Sequence, residues 1–298
     1  TAETTDGPVG RLERAAVEAA AAHSLEPTAP DAPRLTAQLA MLDDALRQAH
    51  RQIAAAAQEA RAVSYASEWL LDNFYVVEQA LEEVTHDMPA GFYRKLAKLG
   101  AAAPLPGYPR VYALALTYLA REDYQVDPDR LVRYVLAYQR VQPLTLSEVW
   151  ALPVMLRLAL LEVLAIGAAH ITHEGSSEDA LAALRLQLQP IALPAERNPS
   201  LEDIVASAIP SMRQLDVYDW RQFSEHVSVV HQHLEQDPAG VYPYMDFETR
   251  NRYRSEIEEL ALHSAATEAE VAAAAVSLAA EAGRQHAVQL PPLQSTSE

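Results

Sequence analysis

Thr145-Leu-Ser-Glu-Val-Trp-Ala-Leu-Pro-Val-Met-Leu-Arg-Leu-Ala-Leu-Leu-Glu-Val-Leu-Ala-Ile-Gly-Ala-Ala169 decides the fold. It opens on Thr145-x-x-Glu148, a capping box in which a hydroxyl and a carboxylate satisfy two orphan amides reciprocally. From Val149 to Ala169 nearly every residue is apolar, long enough to span a bilayer. Arg157, Glu162 and Pro153 interrupt that run, and its two central charges would cost roughly 5–7 kcal/mol in hydrocarbon. A helix that is apolar on every side is also what the middle of a helical protein requires. The stretch is therefore read as a buried core helix, with no transmembrane helix in the chain.

Helical signals continue outward in both directions. On the N-terminal side, Asp127-Pro128 starts a helix through Leu131 to Val141, with Asp at the cap and Pro in the first turn. Arg110 to Arg121 is apolar and helical, Gly100 to Pro109 is a Pro-rich crossing, and Phe92 to Leu99 is expected to form a short helix. Leu35 to Met88 carries an almost unbroken helical pattern. Leu35, Leu39, Leu42, Leu46 and Ile53 form its first stripe, close to a seven-residue spacing. Trp69, Leu70, Phe74, Val77, Leu81 and Val84 form the second, with a break expected at Ser64 or Ser67. Val9 to His23 is an Ala-rich helix, separated from the next by the Pro-rich stretch Ser24 to Pro33.

On the C-terminal side, Ser177 is expected to cap a helix to Leu188, Pro190 to Pro199 is a loop, and Ser200 caps the next helix. Pro210 should kink or end that helix. Trp220 to Leu234 is helical again, with Trp220, Phe223, Val227 and Val230 on a common face. Asp246 caps Phe247 to His263, and Thr267-Glu-Ala-Glu270 is a second capping box. The fold class is all-α, a multi-helix bundle of about ten helices. Two helical subdomains meeting near Pro190 are one arrangement, and one continuous bundle is the other. The expected segments are 1–64 (N-terminal helices and hinge), 65–189 and 190–284 (helical subdomains), and 285–298 (a loose tail).

Composition narrows the function. The chain has 298 residues, with 23 Lys plus Arg against 41 Asp plus Glu, a formal charge of −18. Such an acidic chain is a poor match for broad nucleic-acid or anionic-membrane surfaces. Nine glycines argue against Gly-rich phosphate loops, and the absence of Cys removes disulfides and thiolate chemistry. The start, Thr1-Ala-Glu-Thr-Thr-Asp, lacks the basic and apolar regions of a signal peptide. Beginning at Thr rather than Met, the chain is expected to be a processed product or a piece of a longer one.

Few residues suggest chemistry. Asp127-Pro128-Asp129 has the spacing of a metal-binding DxD motif, but a helix start favours Asp at those places without any metal. His170 and His173 are spaced for zinc beside Glu174, yet sit at a helix C-terminus where His is favoured anyway. His231 and His233 point about 200° apart on a helix and cannot share a metal with each other, whatever His226 does. Glu68 with Asp72, and Glu258 with Arg254 nearby, read as solvated faces or ion pairs. Arg110, Arg133, Arg140 and Arg157 read as inter-helix ion pairs, with Glu148 and Glu162 as available partners. The alternative is an anion or sugar-phosphate pocket. Trp69, Trp150, Trp220, Tyr108, Tyr112, Tyr134 and Tyr138 could stack on sugar rings, but their helical spacing makes core packing the default. No catalytic, cofactor-binding or metal-ligating residue is assigned, and no cofactor is expected.

Several strings resemble one family. They are Ser67-Glu-Trp-Leu-Leu-Asp-Asn-Phe74, Gly91-Phe-Tyr-Arg94, Gly107-Tyr-Pro-Arg-Val-Tyr112, Tyr138 to Pro153, Met155-Leu-Arg-Leu-Ala159, Ile209-Pro-Ser-Met-Arg213 and Met245 to Arg254. Together they resemble the N-terminal, non-catalytic region of cyclic β-1,2-glucan synthases, across about Tyr65 to Ala282. The strings from Gln139 to Leu158 and from Asp246 to Arg254 are the most specific. The resemblance implies part of a larger bacterial inner-membrane glycosyltransferase that polymerises glucose from UDP-glucose. It places this part on the cytoplasmic side, as a scaffold or regulatory region whose partner is the rest of the parent chain or another copy. None of that family's catalytic motifs is present here, so whether the chain is itself an enzyme stays open and a catalytic role is not expected. The alternatives are a glycan- or small-ligand-binding module using the Tyr and Arg residues near 110 to 157, and a free helical adaptor using the Leu35 to Ile53 stripe.

Overall fold

In the computed structural model, residues 8–26, 35–59, 63–172 and 201–289 are described. The expected Ser177 cap, the helix to Leu188, the Pro190 loop and the Ser200 cap lie outside them. Among the described residues there are 13 α-helices and no strand, an all-α multi-helix fold. They divide into two compact units, residues 1–142 with 150–220, and residues 143–149 with 221–298.

The first unit holds α1 (Pro8–Ala22), α2 (Leu35–Gln58), α3 (Tyr65–Asp72), α4 (Phe74–Asp87), α5 (Ala90–Tyr93), α6 (Arg110–Arg121) and α7 (Pro128–Gln139). To these it adds most of α8 (Leu146–Thr172), then α9 (Leu201–Val217). α1 packs on α6 and α7, while α2 and α9 each pack on α3 and α4. α8 is long and apolar enough to cross a membrane by length and composition, and 83% of its most apolar window is buried by the fold. Leu152, Met155, Leu156, Leu160 and Leu164 are fully enclosed. Burial on all sides accounts for a helix without a polar face.

Caps follow the sequence closely. Asp127 accepts from the Arg130 amide at 3.0 Å, Pro128 opens α7, and Ser64 rather than Ser67 caps α3. A second break, at Asn73, separates α3 from α4. The expected helix from Phe92 to Leu99 is not formed; only Ala90–Tyr93 is helical. Backbone groups beyond it pair with the crossing instead: Leu99 N donates to Tyr108 O at 2.9 Å, and Arg110 N to Ala97 O at 2.9 Å. Gly107, at φ 81°, supplies the left-handed step that this turn requires.

Pro210 does not end α9, which runs on to Val217. Ile209, Met212 and Leu215 are buried on that helix. Each contributes roughly 1.5–3 kcal/mol, together more than the ~3 kcal/mol cost of an internal proline. The Leu35 to Ile53 stripe is also corrected as a free partner face. Leu42, Leu46 and Ile53 are buried within the unit.

The second unit contains α10 (Trp220–Val227) from Arg221 onward, α11 (Val229–Leu234), a 3-10 turn (Tyr242–Tyr244), α12 (Phe247–Leu262) and α13 (Glu268–Gln289). The stretch from Trp220 to Leu234 is helical, as expected, with a break at Ser228, whose hydroxyl accepts from His231 N at 3.2 Å and caps α11. Val230, Leu234, Tyr242, Ile257 and Ala272 form the core. Asp246 caps α12, and Thr267 with Glu270 forms the expected capping box at α13.

Candidate functional site

Glu162 is the most unusual side chain in the first unit. It lies on α8, fully buried, where a solvated acid would be expected. Tyr112 of α6 donates its hydroxyl to one carboxyl oxygen, and Gln38 of α2 donates its amide to the other. Burial pushes the Glu162 carboxyl up to about 8, with the Tyr112 hydrogen bond pulling the other way. Glu162 therefore keeps its proton at neutral pH. Burial first, and then the carboxyl beside it, hold the Tyr112 phenol well above its usual range. The other Gln38 amide atom, Oε1, is buried without a hydrogen-bond partner. Turning that amide over would let it accept the carboxyl proton, the arrangement a neutral Glu162 favours.

A second polar group closes the end of α1. His23 Nδ1 lies 2.9 Å from Tyr138 Oη, and Gln142 Nε2 donates to the carbonyls of Ala20 and His23, each at 2.9 Å. Arg110 donates to Gln142 Oε1 at 3.1 Å. Burial, then the Arg110 charge, lower His23 to about 4, so its ring is neutral at neutral pH.

An open groove of about 1140 Å³ lies along α2 and α4, floored by Leu39, Leu81, Val84 and Met88. Asp43, Arg47, Glu82 and Asp87 contribute its polar wall, and Tyr93 its end. Arg47 is held at that wall by Asp43 at 2.7 Å and Glu78 at 2.6 Å.

The four arginines do not converge. Arg157 makes the expected inter-helix ion pairs, but with Glu83 at 2.6 Å and Asp216 at 2.9 Å rather than with Glu148 or Glu162. Glu148 is spent on its own cap, accepting from Thr145 N. Arg133 and Arg140 are exposed, and Arg110 is buried against Gln142. Tyr108, Tyr112, Tyr134 and Tyr138 are all core residues. The tyrosines near residues 110 to 157 thus pack in the core, as their spacing led one to expect, and the alternative of a pocket there is corrected: its tyrosines face inward and its arginines part company.

The remaining expected residues are placed as follows. Asp127 caps α7, accepting from Arg130 N. Glu68 and Asp72 are exposed. Arg254 does not pair with Glu258; it is fully enclosed, 3.7 Å from Glu225 and 4.9 Å over the Phe247 ring. Trp69, Trp150 and Trp220 are half-buried. His226 is exposed, while His231 is buried and bonded to Tyr242 Oη at 3.0 Å. His173 and Glu174, with the His170 side chain, lie outside the described part. Among the described residues, no three His, Asp or Glu side chains come within reach of one metal ion. Sequence reasoning missed the Tyr112–Glu162–Gln38 group; its single signal was an acid inside an apolar run.

The interior defines a helical protein whose buried polar groups tie helices to one another. No protein-family model matches the chain. It is similar to cyclic beta-(1,2)-glucan synthase NdvB of Rhizobium meliloti (strain 1021), at 29% identity over 301 aligned residues. That match covers 81% of this chain and 10% of the relative, so the chain spans about a tenth of the length of that protein. The match supports a relation to the cyclic glucan synthases.

Proposed function

We propose that this chain is a helical, non-catalytic scaffold or regulatory region of a membrane-bound cyclic β-1,2-glucan synthase that polymerises glucose from UDP-glucose. The observation that carries this reading is the match across 81% of the chain to a tenth of one such synthase. The interior is consistent with it, because the buried Tyr112, Glu162, His23 and Arg157 engage neighbouring helices. Its partner is the rest of the parent polypeptide or another copy, at the cytoplasmic face of the bacterial inner membrane. The parent is the glycosyltransferase; this part supports it.

The test is an immunoblot of fractionated native cells with an antibody against this segment. A membrane-fraction band several times larger than 32.7 kDa is expected. A soluble band of the chain's own mass overturns the proposal. A second reading, a glycan-binding module, is favoured by the open α2–α4 groove, whose apolar floor and carboxylate wall suit a sugar face and its hydroxyls. It requires calorimetric heat with β-1,2-glucans, and is overturned if neither heat nor thermal stabilisation appears.

A further inference from the structure

Three carboxylates from three helices close the first turn of α8 within the second unit. Thr145 N donates to Glu148 Oε2 at 2.9 Å, the returning half of the capping box. Leu146 N donates to Glu268 Oε2 at 2.7 Å, and the Ser147 hydroxyl donates to Glu258. Glu148 belongs to α8, Glu258 to α12 and Glu268 to the start of α13. The first amides of a helix have no acceptor within it, so Glu148 and Glu268 meet a real demand, while Glu258 is brought to the same turn by the Ser147 hydroxyl. Bringing three acids to one turn sets them against one another, because carboxylates at such range repel.

We propose that this cluster is a proton-operated clasp: when Glu268 carries its proton, α12 and α13 are fastened to the first turn of α8, and when it ionises they loosen. The half-buried position of Glu268 and the nature of its neighbours set the direction. Both charged groups that bear on it, Glu258 on α12 and Glu148 on α8, are carboxylates. Arg250 and Arg254 of α12 face Glu225 instead. On α11, which packs against α13, His231 is engaged with Tyr242 and Glu235, and His233 is half-buried. Glu270 on α13 turns back to Thr267. Burial, reinforced by Glu258 and Glu148, pushes the Glu268 carboxyl up to about 7, against the pull of the Leu146 amide. Its folded value is raised above the ordinary one. The clasp is therefore at full strength below the unfolded value and is lost as pH rises towards about 7. Nothing beyond the described geometry is needed: no group leaves, and one proton moves between Glu268 and solvent.

The test is hydrogen–deuterium exchange of the full chain between pH 5 and pH 8.5, corrected for the intrinsic exchange rate. Peptides covering 143–149 and the start of α13 should lose about tenfold or more of their protection over that range. Glu268→Gln should hold protection high and flat, while Glu162→Gln, in the other unit, should leave the fall unchanged. Protection that is independent of pH in the parent chain overturns the proposal, as does a Glu268→Gln variant that keeps the full fall. Should that variant not fold, carbon-detected titration of the Glu268 carboxyl in the parent chain decides. A midpoint near neutrality supports the clasp, and one at the ordinary glutamate value refutes it.

Discussion

Replacing Glu162 by Gln removes an ionisation that the first unit cannot accommodate. Folded Glu162 titrates at about 8, against a reference value of 4.5, because it is enclosed and its two hydrogen bonds come from neutral groups. Between those values the unfolded chain gives up the proton while the folded chain keeps it, so stability falls as pH rises. The whole interval corresponds to ~5 kcal/mol, and the part between pH 4.5 and pH 7 to ~3 kcal/mol. Glu162→Gln retains the shape and stays neutral throughout. The assay is urea unfolding of both chains at one-unit steps from pH 4.5 to pH 9, followed by far-UV circular dichroism. The difference between the two stabilities should be small at pH 4.5, widen in favour of the variant, and level off above about pH 8. Taking the difference cancels every other titrating group, Glu268 and His23 included. A difference that stays constant across the range would refute the argument that Glu162 is folded in its neutral form.

Two further outcomes follow from the same interior. Arg157→Met strands Glu83 and Asp216, but both are partly exposed and regain water, so the loss should be about 1–3 kcal/mol, read as a lower urea midpoint. His23 is lowered to about 4, so its ring should show no imidazole titration by proton NMR above about pH 5. Its contribution to stability is complete above the ordinary histidine value and is lost as pH falls through about 4. A His23 midpoint near 6.5 would mean that the junction of α1 with α7 is open in solution.

What could be read in advance was local. Asp127-Pro128, Thr145 with Glu148, Asp246 and Thr267 with Glu270 announce helix starts because each cap is completed within four residues. The apolar run of α8 declared its own burial for the same reason: solvent on any side would be costly. Non-local pairings were illegible. Arg157 had acids on its own helix as obvious partners, yet its partners are Glu83 and Asp216, brought from α4 and α9. Glu162 meets Gln38 across 124 residues. Pattern also misled where tertiary demand outweighed propensity. The stretch after Tyr93 gave up a helix to pair with the crossing loop.

The docking of α1 sets an order of events during synthesis. Its apolar stripe of Leu12, Ala16 and Ala20 is covered by helices that the ribosome makes much later. The hydrogen bonds that seal it reach from His23 to Tyr138, 115 residues on, and from Gln142 back to His23, a separation of 119. At about 5–20 residues per second, roughly 6–24 s pass before those partners emerge. Through that interval α1 is an exposed amphipathic segment. It is a ready client for a chaperone at the tunnel exit, and its shielding is completed only by the segment that ends α7.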